Sequence, residues 1–184
     1  MRTVEDIFKE LASHMVEGLM IHEQLMNCYI FLGTDGYAEC HKYHYLEETN
    51  GYIKLTEYYS NHHRGILSPG KVDPPDIIPE SWFGNKKEGV DNETRRKAIK
   101  AAFDEWIRWE TSTKKLYENA YAELISLGEA ASAIFIGEYV IDVDNELVEA
   151  MEAKLCKEAI GYDMVSIVEE QQSLKKFYKK QIKK

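Results

Sequence analysis

The stretch RGILSPGKVDPPDIIPESWFGNKKEGVDN, residues 64–92, decides how this chain folds. It holds all four prolines (Pro69, Pro74, Pro75 and Pro79) and four of the eleven glycines (Gly65, Gly70, Gly84 and Gly89). Proline lacks an amide N–H and clashes with the preceding helical turn, so no helix runs through such a segment. The two flanking halves contain no proline, and both carry helical periodicity rather than the alternation of strands. Residues 64–92 therefore read as an irregular connection between two helical halves.

Upstream, the second helix is expected over about 37–63, with Tyr45, Glu48, Tyr52, Leu55 and Tyr59 on its inner face. The turn Gly33-Thr-Asp-Gly36 makes it antiparallel to a first helix over about 3–32. That helix opens on a capping box, Thr3-Val-Glu-Asp6, and its inward stripe reads Ile7, Leu11, Met15, Leu19, Met26, Ile30. Downstream, a third helix over about 92–127 carries Phe103, Trp106, Glu110, Thr113, Tyr117, Ala120 and Leu124 on one face. Gly128 ends it. A fourth helix over about 129–158 turns Ile136, Val140, Val143, Leu147 and Met151 inward, and after Gly161 a fifth covers about 162–182. Hairpin, long crossover, hairpin and extra helix make an all-α four-helix bundle in one domain, 1–184. A second helix of that length spans about 40 Å, which an extended connection of this size can cross.

The composition narrows the function classes. With 23 basic and 32 acidic residues the net charge is -9, which argues against a general nucleic-acid surface. No apolar run reaches the roughly 18 residues of a membrane span, so no membrane partner is expected. The start, MRTVEDIFKE, is too acidic for a secretory signal. Cys28, Cys40 and Cys156 form no CxxC pair, which fits a reduced, cytoplasmic protein. The C-terminal ten residues hold six lysines. They complement a helix C-terminus, and they are also the one place where an acidic partner or nucleic acid is expected to dock.

Hairpin–crossover–hairpin is the ferritin-like layout, and local residues resemble ferritins as well. Glu47-Glu48-Thr-Asn-Gly51-Tyr-Ile-Lys54-Leu55 resembles the second-helix pattern of a carboxylate pair followed by Lys-Leu. Ile21-His-Glu23-Gln-Leu-Met-Asn-Cys-Tyr29 is similar to the first-helix segment around a metal-binding Glu, Trp109-Glu110 with Tyr117 to the third helix, and Tyr139-Val-Ile-Asp142 to the fourth. More narrowly, Ile78-Pro-Glu-Ser-Trp82 with Val90-Asp91 resembles helical proteins carried by phages and mobile elements of Gram-positive bacteria, which brings no activity with it.

Ferritin-like di-metal centres take one Glu from each of two helices and a Glu-x-x-His from each of the others. The resemblance therefore implies Glu23, Glu48, Glu110, Asp142 and Glu146 as candidate ligands for iron, manganese or zinc. Each interrupts an apolar stripe, and an unpaired buried carboxylate costs several kcal/mol, so each needs a cation, a partner or water. Yet the chain has no Glu-x-x-His: Gly51 stands three residues after Glu48, and Asn145 three after Asp142. Carboxylates alone suit Mg²⁺, Mn²⁺ or Ca²⁺ better than iron redox chemistry. His41, His44 and Glu48 share a helix face as a weaker ligand set, with His22 able to approach from helix one; otherwise these are surface or hydrogen-bonded histidines. Tyrosine hydroxyls pairing with Glu23, Glu48 or Glu110 would satisfy the carboxylates without metal.

The sequence thus predicts a non-catalytic ferritin-like structural or interaction protein, self-associating through exposed helix faces as a homo-oligomer. The alternative is a metal-binding protein with a carboxylate-rich di-metal site and oxidase or iron-storage chemistry. Trp82 and Phe83 in the crossover are expected to fold back on the bundle.

Overall fold

The computed structural model describes residues 2–73 and 89–183. Five helices hold most of them: α1 (Val4–Phe31), α2 (Asp35–His63), α3 (Asn92–Ser126), α4 (Ala130–Ala159) and α5 (Met164–Gln181), each end within two residues of expectation. No strand occurs among the described residues.

Local chemistry sets the boundaries. The Thr3 hydroxyl accepts from Asp6 N at 3.2 Å while Asp6 accepts from Thr3 N at 2.9 Å, so the expected capping box forms. Asp91 and Asp163 cap α3 and α5 by accepting from Thr94 N and Ser166 N, both at 2.9 Å. Each such cap stabilises its helix by about 1 kcal/mol. The turns after α1, α3 and α4 place Gly33, Gly128 and Gly161 at φ of 73°, 80° and 58°, the left-handed region where a Cβ is disfavoured.

Side-chain contacts fix the directions. Phe8 on α1 packs on Tyr59 near the end of α2, with ring centroids 5.2 Å apart, so those helices are antiparallel. Tyr58 stacks on Phe135 at 4.0 Å, which places the end of α2 beside the start of α4. Lys154 bonds Asp104 at 2.7 Å, pairing the end of α4 with the start of α3. Hence α2 and α3 are parallel, and their connection must traverse the bundle. Its first part lies along α1: Leu67 is buried, and Gly70 N donates to Ser13 Oγ at 2.7 Å. Trp82 and Phe83 lie outside the described residues.

Two apolar clusters form the interior. One gathers Ile7, Phe8, Leu11, Met15, Leu55, Tyr117, Leu124 and Ile136; the other gathers Leu25, Tyr29, Ile99, Phe103, Trp106 and Ile167. Each fully buried side chain of this size contributes about 1.5–3 kcal/mol. The α3 stripe is buried throughout as expected. Two other stripes differ. Beyond Met15 the buried face of α1 runs through Gly18, His22, Leu25 and Tyr29, leaving Ile30 exposed. At about 100° per residue, His22 returns to within about 20° of Met15, whereas Glu23 lies about 80° away. On α4 the inward positions are Val143 and Ala150, and Met151 faces solvent.

The fifth helix docks on α2. Gln171 accepts from Tyr37 N at 3.1 Å, and Lys175 and Lys179 pair with Asp35 and Glu39 at 2.6 and 3.5 Å. Lys157, buried on α4, pairs with Glu170. No described helix is long and apolar enough to cross a membrane.

Candidate metal centre

Between the two apolar clusters lies a polar layer to which four helices contribute: His22 from α1, His41, His44 and Glu48 from α2, Glu110 and Thr113 from α3, and Glu146 from α4. It borders a cavity of about 440 Å³ lined by His44, Glu48, Glu110, Tyr117, Asp142 and Glu146 among others. The lining also includes the exposed residues Asn50, Glu138 and Asn145, so the cavity opens between α2 and α4, a loosely packed pair.

His22 is fully buried, and its Nδ1 lies 3.1 Å from His41 Nδ1. One of these two nitrogens must carry the proton they share. Its other nitrogen, Nε2, stands 3.8 Å from Glu110 Oε1 and has no hydrogen-bond partner. That same Glu110 oxygen accepts from Trp106 Nε1 at 3.1 Å. His44 Nδ1 lies 3.4 Å from Glu47 and 3.5 Å from Glu146, distances without hydrogen-bond alignment, and both its ring nitrogens lack a partner. Ligand-bearing atoms converge within 4.8 Å of one another in three sets: His22–Glu110–Glu146, His44–Glu47–Glu146 and Cys40–His44–Glu149.

The electrostatics follow from burial. Desolvation, with Glu146 adding to it, pushes the Glu48 carboxyl up to about 8. Glu110 is raised well above the usual carboxylate range by burial first, then by Glu146 and Glu48. Burial and a neighbouring imidazole lower His22 and His41, which stay neutral. Burial also works against a charged His44, but Cys40 and the carboxylates of Glu146 and Glu47 outweigh it and raise that group. A cation placed here would supply the charge that these carboxylates lack, so the donor set fits a divalent metal.

Two glycines shape the same layer. A Cβ on Gly18 would meet Glu48 Oε1 at 2.9 Å and Trp109 at 3.2 Å, and one on Gly51 would lie 3.4 Å from Tyr139. Tyr139 reaches across the cavity mouth and donates its hydroxyl to Gly51 O at 3.0 Å.

Among the expected ligands, Glu48, Glu110 and Glu146 border the one cavity, and Asp142 lies on its exposed rim. Glu23 is solvent-exposed, because His22 takes the inward position beside it. His41 and His44 are buried rather than on the surface. Among the described residues, tyrosine hydroxyls do bond carboxylates, but not Glu23, Glu48 or Glu110: Tyr37 donates to Glu170 at 3.0 Å and Tyr178 to Glu149. Sequence reasoning gave His22 a secondary place and passed over Glu149. The unbroken three-four spacing Met15–Gly18–His22–Leu25–Tyr29 was the available signal.

No family model matches the chain, and no curated protein does. Solved structures do. A closed form of Archaeoglobus fulgidus ferritin made by site-directed mutagenesis has a TM-score of 0.78 and 15% identity, covering 95% of this chain and 96% of that one. A humanised archaeal ferritin aligns at 0.79 with 15% identity over the same shares. A variant of PmFTN, soaked in iron, aligns at 0.68 with 11% identity, covering 87% of this chain and 91% of that one. The comparisons lend no support to a phage or mobile-element origin, and Ile78–Trp82 lie outside the described residues. With five helices among the described residues and alignments that cover nearly all of both chains, the chain has the ferritin-like fold.

Proposed function

We propose that this protein binds divalent metal inside its bundle, with iron the first candidate and manganese or zinc next. The observation that carries this reading is Glu146: it belongs to two ligand sets that include residues of all four bundle helices and two buried imidazoles with unpartnered nitrogens. Carboxylates neutralise the cation and an imidazole supplies a borderline donor. The fold supports iron, since one similar protein is known from a structure soaked in iron. A bound redox metal would supply oxidation chemistry; the chain's own residues bind and orient it. Metal content by mass spectrometry, after loading with iron, manganese or zinc and desalting, tests this. About one or two ions per chain, lost in Glu146→Gln, are expected. Equal background in both proteins would overturn it.

The second reading is a structural protein that self-associates, and one observation favours it. Ile134, Ile141, Val148 and Leu155, at seven-residue steps on α4, are all at least 53% exposed. Such a stripe is the pattern of a helix–helix seam. Light scattering separates the readings, because a metal-free oligomer disrupted by Ile141→Glu would favour this one.

A further inference from the structure

We propose that the metal seat lies between His22 Nε2, Glu110 and Glu146, displaced along the bundle from Glu48 and Gly51, and that it holds one cation of the zinc, cobalt or ferrous class. This inference rests on the metal-binding reading and assigns its ligands.

The first argument is the tautomer of His22. Its Nδ1 and that of His41 are 3.1 Å apart, so one donates to the other. If His22 donates, its Nε2 is a bare lone pair aimed at the Glu110 carboxylate 3.8 Å away. If His41 donates, His22 Nε2 carries a hydrogen with no acceptor in range. Each arrangement leaves a buried polar atom unsatisfied, which costs roughly 1–3 kcal/mol. A cation resolves the first arrangement completely: the His22 Nδ1–H donates to His41 and fixes the ring, and His22 Nε2 ligates. Metal-bound imidazoles commonly have this outer hydrogen bond.

Distance is the second argument. With bonds of about 2.0–2.2 Å, two ligand atoms on one ion lie about 3–3.5 Å apart. His22 and Glu110 need to close by only a few tenths of an ångström from 3.8 Å. Trp106 already orients the carboxylate, as an outer-shell donor should.

The third argument is what surrounds Glu48. Gly18 and Gly51 flank it and offer no ligand atom, and a side chain at Gly18 would strike Glu48 itself at 2.9 Å. The imidazole near Glu48, His44, is drawn instead toward Glu47 and Glu146, at 3.4 and 3.5 Å. The seat at His22 combines one nitrogen with carboxylates, a donor set that prefers Zn²⁺, Co²⁺ or Fe²⁺ over Mg²⁺ and Ca²⁺.

The test is a Co²⁺ titration of the full chain, followed by its visible d–d absorption and by NMR of paramagnetically shifted imidazole N–H signals. His22→Gln should weaken binding more than about tenfold, while Glu48→Gln should change it by less than about threefold. Mg²⁺ at about 10 mM should displace nothing. Affinity retained in His22→Gln but lost in Glu48→Gln would overturn the assignment and leave metal binding standing. No Co²⁺ uptake by the unsubstituted protein would remove both. If His22→Gln does not fold, the unsubstituted protein still decides: a slowly exchanging, shifted imidazole N–H supports the seat, and its absence contradicts it.

Discussion

His22 Nε2 and Glu110 Oε1 face each other at 3.8 Å, where neither side chain is more than 1% exposed. The gap is too long for a hydrogen bond and too short for both groups to be indifferent to charge. It sits between two apolar clusters that would otherwise meet as one core. Stability alone does not account for such a layer, because a hydrophobic replacement of similar volume is often as good or better.

Removing the charge at this point should therefore stabilise the metal-free protein. Glu110→Gln keeps an oxygen for the Trp106 N–H, now bonded at 3.1 Å, and removes the desolvated carboxyl. Chemical denaturation of the metal-free variant should show a gain of about 1–3 kcal/mol together with loss of metal uptake.

The two glycines of the layer should respond differently to alanine. Gly51→Ala places its Cβ 3.4 Å from Tyr139, an ordinary contact, and should gain roughly 0.5–1 kcal/mol of helix propensity. Gly18→Ala must push Glu48 aside and crowd Trp109 at 3.2 Å. Its unfolding free energy from urea titration should stay within about 0.5 kcal/mol of the parent, the packing cost offsetting the propensity gain.

Docking of α5 depends on one buried cation. Lys157 is 3% exposed, pairs with Glu170, and lies 5.8 Å from the Tyr37 ring centroid. Glu170→Ala leaves that ammonium without its partner and also removes the acceptor of the Tyr37 hydroxyl. The expected cost is about 2–4 kcal/mol, with amide hydrogen exchange rising in α5 before the rest of the bundle.

Acid should weaken the fold through His14. Burial holds its pKa at about 4 against an ordinary 6.5; its ring stacks on Trp109 at 4.0 Å, and its Nε2 lies 2.7 Å from Thr113 Oγ1. The unfolded chain takes up this proton first, so the stability His14 contributes is present above pH 6.5 and lost as pH falls toward 4. His14→Gln should flatten that acid limb by about 1–3 kcal/mol in melts between those pH values. Glu48 acts in the opposite sense, since its raised carboxyl favours the fold below pH 4.5 and loses that advantage as pH climbs toward 8.

How much was legible depended on the strength of the local signal. The prolines of 64–92, the Thr3 capping box and the glycines after three helices mark boundaries chemically, and every helix falls where they point. The α3 stripe is dominated by large aromatics and leaves no choice of face. On α1, by contrast, Leu19, Met26 and Ile30 offer a second apolar line close to the true one, and choosing it turned Glu23 inward in place of His22. One residue of register is about 100° of rotation, enough to exchange a ligand for a solvated side chain. The pairing of His22 with His41 was beyond local patterning altogether, because it joins two helices across 19 residues.

The most direct test is anomalous diffraction from crystals of the zinc-loaded protein, recorded on both sides of the zinc absorption edge. The account predicts a buried peak within ligand distance of His22 Nε2, Glu110 and Glu146. A peak confined to Glu48 and the Asp142 rim, or no interior peak at full loading, would contradict it.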